Sequence, residues 1–256
     1  MMEREILGCR VDGPTLREAV DIVADFIREG SPHHVITLNA EIAYRAAREA
    51  ALRQVINAAH LVTPDGAGIV WASAFLGCPV PERVTGIDLF AALAAEGAKR
   101  KWRFYLYGAA PGVAAEAARR LAERFPGLQV VGSSHGYLSG EEEAALVREI
   151  KGLRPDILAV ALGAPKQELW IAEHLQELGV PVAIGIGGTL DVLAGRVGRA
   201  PGWMQRLGLE WFYRLLNEPR RAKRMLALPK FIIAVMGQKF FRHSGKKAGK
   251  MTQDGE

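Results

Sequence analysis

The stretch WRFYLYGAAPG, from Trp102 to Gly112, decides the fold class. Its first six residues are mostly apolar and aromatic, which predicts a buried strand, and Gly108 opens a glycine-containing turn. An alanine-rich stretch with helical spacing then runs to Phe125. A strand, a glycine turn and a helix in this order are typical of a parallel sheet covered by helices.

The same alternation continues on both sides of this unit. Thr15 and Glu18 form a capping-box pattern that predicts a helix ending at Gly30, and Ser139 and Glu142 repeat the pattern. Further helices are predicted over residues 41–58, 89–99 and 165–178, and strands over residues 34–38, 61–63, 128–132, 157–162 and 182–186. We therefore expect an α/β fold with a Rossmann-like parallel sheet flanked by helices.

Positive charge is concentrated near the C-terminus. Of the 33 Lys and Arg residues in this 256-residue chain, 14 lie between Arg196 and Lys250, against two acidic residues. Residues 1–195 carry a net charge of −5. This asymmetry predicts an α/β domain over residues 1–195 and a basic helical appendage over residues 196–256, with an anionic surface as the partner of the appendage.

Apolar residues recur at helical spacing beside the cations of the appendage, among them Trp203, Trp211 and Leu215. Aromatic side chains next to clustered cations are typical of helices that lie in the headgroup layer of a membrane. The alternative is a helix docked on the domain with a solvated basic face. Pro219 and Pro229 predict that the appendage is divided into shorter pieces.

The sequence has no sign of export or membrane insertion. The first ten residues carry charges at Glu3, Arg4 and Glu5 and no apolar run of signal-peptide length. The longest uncharged apolar run near the C-terminus, residues 231–237, is far shorter than the roughly 20 residues of a spanning helix. The two cysteines, Cys9 and Cys78, exclude a disulfide framework. We expect a cytoplasmic protein.

Polar residues and glycines follow several predicted strands, where parallel sheets bind ligands. Glycines there allow backbone N–H groups to approach a phosphate, which favours nucleotide binding, although such turns often serve only tight packing between strand and helix. The candidates are Thr37, Asn39, Asp65, Gly108, Gln167, Gly187 and Gly188.

Several familiar signatures are missing. The dinucleotide fingerprint lacks its third glycine, because Trp71 stands there after Gly66 and Gly68. Without a D-x-D pair or a metal-ligand cluster, a bridging Mg²⁺ lacks its usual carboxylates, so we expect neither a metal nor another cofactor. Asp65 can be a turn aspartate bonded to its own backbone, and Arg83 a surface charge.

Six motifs in order resemble the WecG/TagA/CpsF family of bacterial glycosyltransferases, over residues 6–239. The motifs are Thr37-Leu38-Asn39-Ala40-Glu41, Thr63-Pro64-Asp65-Gly66, Glu82-Arg83-Val84-Thr85-Gly86, Gly163-Ala164-Pro165-Lys166-Gln167-Glu168, Gly185-Ile186-Gly187-Gly188 and Arg199-Ala200-Pro201. The resemblance implies metal-independent, inverting transfer of N-acetylmannosamine from its UDP form to undecaprenyl-diphosphate-linked N-acetylglucosamine, a step in wall teichoic acid synthesis.

The resemblance also implies roles for individual residues. Asp65 corresponds to the proposed base, which deprotonates the acceptor hydroxyl. Thr37, Arg83 and Gln167 correspond to positions that contact the sugar or the phosphates. Because Arg binds phosphate in bidentate fashion, the arginines of the appendage are the expected contacts of the lipid diphosphate, namely Arg214, Arg221 and Arg224.

This resemblance predicts a peripheral enzyme on the inner face of the cell membrane, with a homo-oligomer allowed and no nucleic-acid partner. Four alternatives remain open from the sequence. They are a WecG-like transferase of the mannosaminuronic acid form of the donor, a capsule or exopolysaccharide glycosyltransferase, a Rossmann-type nicotinamide oxidoreductase and a non-catalytic membrane scaffold.

Overall fold

A computed structural model describes residues 4–217 and 227–251 of the chain. Its centre is a six-stranded parallel sheet, which confirms the predicted fold class. A short antiparallel hairpin, β1 (Glu5–Ile6) and β2 (Cys9–Arg10), precedes it. The sheet strands are β3 (His33–Leu38), β4 (Leu61–Pro64), β5 (Arg103–Gly108), β6 (Gln129–Ser134), β7 (Ile157–Ala161) and β8 (Val182–Gly185). Their spatial order is β4-β3-β8-β7-β5-β6.

Helices cover both faces of the sheet. In chain order they are α1 (Leu16–Glu29), α2 (Ala40–Ala46), α3 (Ala50–Ala58), α4 (Ala67–Phe75), α5 (Gly86–Arg100), α6 (Val113–Arg124), α7 (Gly140–Leu153), α8 (Lys166–Leu178), α9 (Thr189–Leu193), α10 (Gly202–Arg206), α11 (Glu210–Asn217) and α12 (Ala227–Met251). The first core cluster joins α1, α5, α6 and α9 to one sheet face. Two further clusters cover the other face, one with α2, α3, α4 and α12 and the other with α7 and α8.

The predicted helix caps are confirmed in detail. Thr15 caps α1 through a complete capping box with Glu18, and Gly30 ends this helix in the left-handed conformation. Ser139 and Glu142 form the same box at the start of α7. These local signals need no tertiary contacts, which is why the sequence is sufficient to place them.

One predicted helix is wrong as a single element. The stretch over residues 41–58 forms two helices, α2 and α3, because the backbone of Glu49 is extended. The break turns α3 so that Leu52 and Ile56 are buried in the core. The β1–β2 hairpin and α4 were not predicted from the sequence, and α4 consists almost entirely of apolar residues.

The end of the chain packs against its beginning. Phe231 and Val235 of α12 are fully buried in the cluster that contains Ile6 and Ile42. Residues on both sides of the expected boundary at 195/196 therefore share one core. Pro229 is the third described residue of α12, and Pro219 lies outside the described residues. Among the described residues, no helix combines the length and hydropathy needed to cross a bilayer.

Candidate active site

A cleft of about 410 Å³ opens at the carboxyl ends of four adjacent strands, β4, β3, β8 and β7. This edge is where ligands bind in open parallel sheets. The cleft lining includes most of the candidates that the sequence singled out: Thr37, Asn39, Asp65, Arg83, Gln167, Gly187 and Gly188. Residues up to 151 positions apart in sequence, from Thr37 to Gly188, therefore meet in one place because their strands are neighbours.

Asp65 follows β4 directly and is fixed from two sides. Its backbone N–H donates to the carbonyl of Leu38 at 2.8 Å, which ties it to the end of β3. Its Oδ2 accepts a hydrogen bond from the backbone N–H of Gly86 at 3.3 Å, at the start of α5. Gly66, with φ +87°, then turns the chain into α4. The carboxylate is thus held at the cleft by backbone that is distant in the sequence.

Thr37 and Asn39 place the end of β3 beside the cleft. The hydroxyl of buried Thr37 donates to the carbonyl of Gly185 at 3.3 Å, which joins β3 to the end of β8. The side-chain oxygen of Asn39 accepts from the backbone N–H of Ile42 at 3.0 Å and caps α2. Both side chains therefore hold the architecture of the cleft wall as well as lining it.

Gln167 crosses from α8 to the glycine loop after β8. Its Oε1 accepts from the backbone N–H of Gly187 at 3.0 Å, and its Nε2 donates to Oε1 of Glu168 at 2.8 Å. The N–H of Gly187 is thus already used by the protein rather than held open for a phosphate. The loop before α8 contains a cis peptide bond between Ala164 and Pro165.

Glu168 is fully buried, which was not predicted from the sequence. Burial raises the pKa of its carboxyl above the ordinary value, and the negative charge of Glu41 acts in the same direction. The hydrogen bond from Gln167 opposes this shift. An acidic residue in the first turn of a helix is ordinarily solvated and complements the helix dipole, so only the packing of α8 reveals its burial.

Arg83 lies in an ion-pair network at the rim of the cleft. Its guanidinium contacts the carboxylate of Glu210 at 3.1 Å. Glu210 also pairs with Arg199 at 3.5 Å, and Arg199 pairs with Asp88 at 2.6 Å. Asp88 accepts from the hydroxyl of Thr85, the cap of α5. The network therefore joins the start of α11 to the start of α5 beside Asp65.

The charge of the cleft is negative within the described part of the chain. Its lining there contains four carboxylates, Glu41, Asp65, Asp191 and Glu210, and one cationic side chain, Arg83. Apart from Asp65, the sequence analysis singled out none of these carboxylates as a site residue. Within residues 4–217 and 227–251, no group of three or more His, Cys, Asp or Glu side chains is arranged to hold a metal ion.

Gly108 does not lie with the other candidates. It ends β5, which β7 separates from the strands around the cleft, and it is not among the lining residues. Its φ is +125°, and a Cβ there would lie 2.4 Å from the backbone oxygen of Ala161. Close contact between β5 and β7 accounts for this glycine.

The arginines of the appendage cannot be placed in the same way. Arg221 and Arg224 lie outside the described residues. Arg214 belongs to α11, but its side chain is also outside the described part of the structure. Their role as diphosphate contacts stays a prediction.

Comparison with known proteins identifies the family of this chain. Residues 4–245 match the sequence model described as the glycosyl transferase WecG/TagA/CpsF family. A protein of Bacillus spizizenii is 40% identical over 202 residues, which cover 79% of this chain and 78% of that protein. One of Staphylococcus aureus is 33% identical over 233 residues, covering 90% and 91%. Both are named N-acetylglucosaminyldiphosphoundecaprenol N-acetyl-beta-D-mannosaminyltransferase.

Proposed function

The chain belongs to the WecG/TagA/CpsF family of glycosyltransferases, and from this premise we propose that it transfers N-acetylmannosamine from its UDP form to N-acetylglucosaminyl-diphosphoundecaprenol. The acceptor and the transferred sugar are those that the names of the relatives give. Such a transfer builds the disaccharide through which wall teichoic acid is linked to peptidoglycan.

The observation that carries the proposal is the meeting of Asp65, Arg83 and Gln167 in one cleft at the ends of adjacent strands. Inverting transfer requires one carboxylate that removes the proton of the acceptor hydroxyl while the nucleotide leaves from the opposite face. We assign that role to Asp65. Its fixed position agrees with a base that must lie within hydrogen-bond reach of one hydroxyl.

The diphosphates of donor and acceptor require more positive charge than the described lining supplies. With four carboxylates and one guanidinium, this lining would repel polyanionic substrates unless further cations approach. Arg214, Arg221 and Arg224 are the cations that we propose for this task, acting without a metal ion. In this proposal the appendage completes the active site when the lipid substrate is bound.

The same charge balance favours an uncharged donor sugar. A uronic acid form would add a further carboxylate to a cleft that already contains Glu41, Asp65, Asp191 and Glu210. No feature of the described residues favours the uronic acid or capsule alternatives. Membership of a glycosyltransferase family excludes the alternative that the protein is a nicotinamide oxidoreductase.

We further propose that the enzyme works as a peripheral protein on the inner face of the membrane that contains its acceptor. Large apolar side chains of α10, α11 and α12 are exposed, including Trp203, Phe212, Ile233 and Phe240. Together with the cations of residues 196–250, they suit the boundary between headgroups and acyl chains.

An assay of UDP release tests the activity. Purified protein is mixed with UDP-N-acetylmannosamine and a lipid-linked diphospho-N-acetylglucosamine, and UDP is measured with and without the acceptor. We expect acceptor-dependent release, and a much slower release when the donor is the uronic acid. Absence of release with both donors would refute the proposed activity, and preference for the uronic acid would refute the donor assignment.

A further inference from the structure

A chain of hydrogen bonds joins the glycine loop of the cleft to a buried carboxyl. The backbone N–H of Gly187 donates to Gln167, and the amide of Gln167 donates to Glu168. Gly187 and Gln167 line the cleft, whereas Glu168 is not among its lining residues. Glu168 is therefore one step removed from any ligand.

These two hydrogen bonds permit only one orientation of the Gln167 amide. A backbone N–H requires an oxygen opposite it, so Oε1 faces Gly187 and Nε2 must face Glu168. An oxygen of Glu168 accepts this bond whether or not the carboxyl carries a proton. A flipped amide would place two donors against each other at Gly187 and, when the Glu168 carboxyl is ionised, two acceptors against each other at Glu168. The orientation of Gln167 is thus set by its neighbours on both sides.

The surroundings of Gln167 leave it little room to move. Gly185 lies directly under the amide, since a Cβ added there would be 2.7 Å from Nε2 and 3.1 Å from Cδ. Gln167 itself is buried. An amide clamped in this way presents the same face to the cleft in every molecule.

Packing alone does not account for a carboxyl at position 168. Its second oxygen, Oε2, is buried and has no hydrogen-bond partner within residues 4–217 and 227–251. Burying an incompletely paired polar group costs stability, and an apolar side chain of similar length would avoid that cost. The carboxyl is therefore better explained by its bond to Gln167 than by a contribution to the core.

We propose that Glu168 is a positioning residue of the transferase: it holds the Gln167 amide in the one orientation that serves the substrate. The inference rests on the proposed function and assigns Glu168 no contact with substrate. Because a misplacement of about 1 Å at a substrate-contacting group costs on the order of 100-fold in rate, a residue that only orients Gln167 can have a large effect.

Two variants separate orientation from packing. Glu168→Gln retains an oxygen that accepts from Gln167, whereas Glu168→Met fills the same space without one. In the UDP-release assay we expect Glu168→Gln to stay within about threefold of the wild-type kcat/KM, and Glu168→Met to lose about 10- to 100-fold. The Tm of Glu168→Met should not fall by more than a few degrees, because it removes an incompletely paired polar group.

A double-mutant cycle with Gln167→Ala then identifies the route of the effect. If Glu168 acts through Gln167, its replacement has no further effect once Gln167 is absent. Adding Glu168→Met to Gln167→Ala then changes kcat/KM by less than about twofold, which is the ordinary scatter of such cycles. Equal losses from Glu168→Met in both backgrounds would overturn the proposal. So would wild-type activity in Glu168→Met, or a loss in Glu168→Gln as large as in Glu168→Met.

If Glu168→Met does not fold, Glu168→Leu serves in its place, since it also removes the oxygen that accepts from Gln167. Its loss of activity must likewise disappear in the Gln167→Ala background. The wild-type assay separates this inference from the proposed function. If the wild-type enzyme has no transfer activity, the proposed function is refuted. If the wild type is active but the effects of the Glu168 and Gln167 variants add, only the role of Glu168 is refuted.

Discussion

The guanidinium of Arg83 lies 3.1 Å from the carboxylate of Glu210, and both side chains are largely buried at the rim of the cleft. Arg83 belongs to the loop before α5, and Glu210 begins α11, so the contact joins the body of the protein to its appendage. Glu210 is thus paired with the guanidinium that the family resemblance assigns to the sugar or the phosphates. If Arg83 binds a substrate diphosphate, that diphosphate must compete with Glu210.

This competition predicts that Glu210→Gln strengthens the binding of UDP. Removing a partly buried charge partner that is worth about 1 kcal/mol should lower the Kd about three- to tenfold at low salt. Isothermal titration calorimetry measures the change. Asp88→Asn is the matched control, because it removes the other partner of Arg199 and leaves the Arg83–Glu210 pair in place. Weaker UDP binding by Glu210→Gln would contradict the competition.

Asp65→Asn should abolish transfer while the fold persists. The amide oxygen of asparagine can still accept from Gly86, but the side chain can no longer take a proton from the acceptor hydroxyl. A loss of about 100- to 10,000-fold in kcat is the size expected for a general base. Asp191→Asn makes the same change of charge elsewhere in the cleft and should cost far less. Near-normal turnover of Asp65→Asn would exclude this residue as the base.

His34 should make the protein less stable in mild acid. Burial lowers the pKa of its imidazole to about 3, and the neighbouring His60 adds to the shift. Near pH 6.5 this imidazole takes up a proton in the unfolded chain but not in the folded chain. The free energy of unfolding is therefore highest above pH 6.5 and decreases as the pH falls from there towards 3.

The expected size is about 2 kcal/mol of unfolding free energy between pH 7.5 and pH 5. Urea denaturation at the two values measures it. His34→Leu removes the buried imidazole, so its free energy of unfolding should fall by about that much less over this interval than that of the wild type. Identical pH dependence in His34→Leu and the wild type would show that His34 does not carry the effect.

Gly108→Ala tests whether this glycine serves packing or the site. The added Cβ meets backbone of Ala161 at a left-handed φ, which should cost at least about 2 kcal/mol of stability. Gly112→Ala, with φ +82° and open space around it, should cost only about 1 kcal/mol of backbone strain. Differential scanning calorimetry compares the two. At a temperature where Gly108→Ala is folded, its kcat should equal that of the wild type, and a selective loss of kcat would return Gly108 to the site.

Much of the fold could be predicted because its signals are local. The capping boxes at Thr15 and Ser139 and the apolar strands act over a few residues. The break between α2 and α3 could not be foreseen, since Ala47, Arg48 and Glu49 all favour helix and only core packing redirects the chain.

The candidate site follows the same division. Asp65 and Gln167 belong to motifs that can be recognised in sequence, and strand adjacency then brings them together. The burial of Glu168 and the pairing of Arg83 with Glu210 depend on contacts between distant elements. No pattern in the chain distinguishes these charges from the solvated ones that helices ordinarily carry.

The order of the strands also leaves one continuous stretch of the chain away from the cleft. All residues from 88 to 160 are described, and none of them lines the cleft. Lys151, exposed in the last turn of α7, lies in that stretch, beside the residues that lead into β7 and β8 and so at the opposite end of these strands from the cleft. A fluorescent dye or a surface linker attached there would let the arrival of the enzyme at a lipid vesicle be followed without burdening the reaction that it carries out.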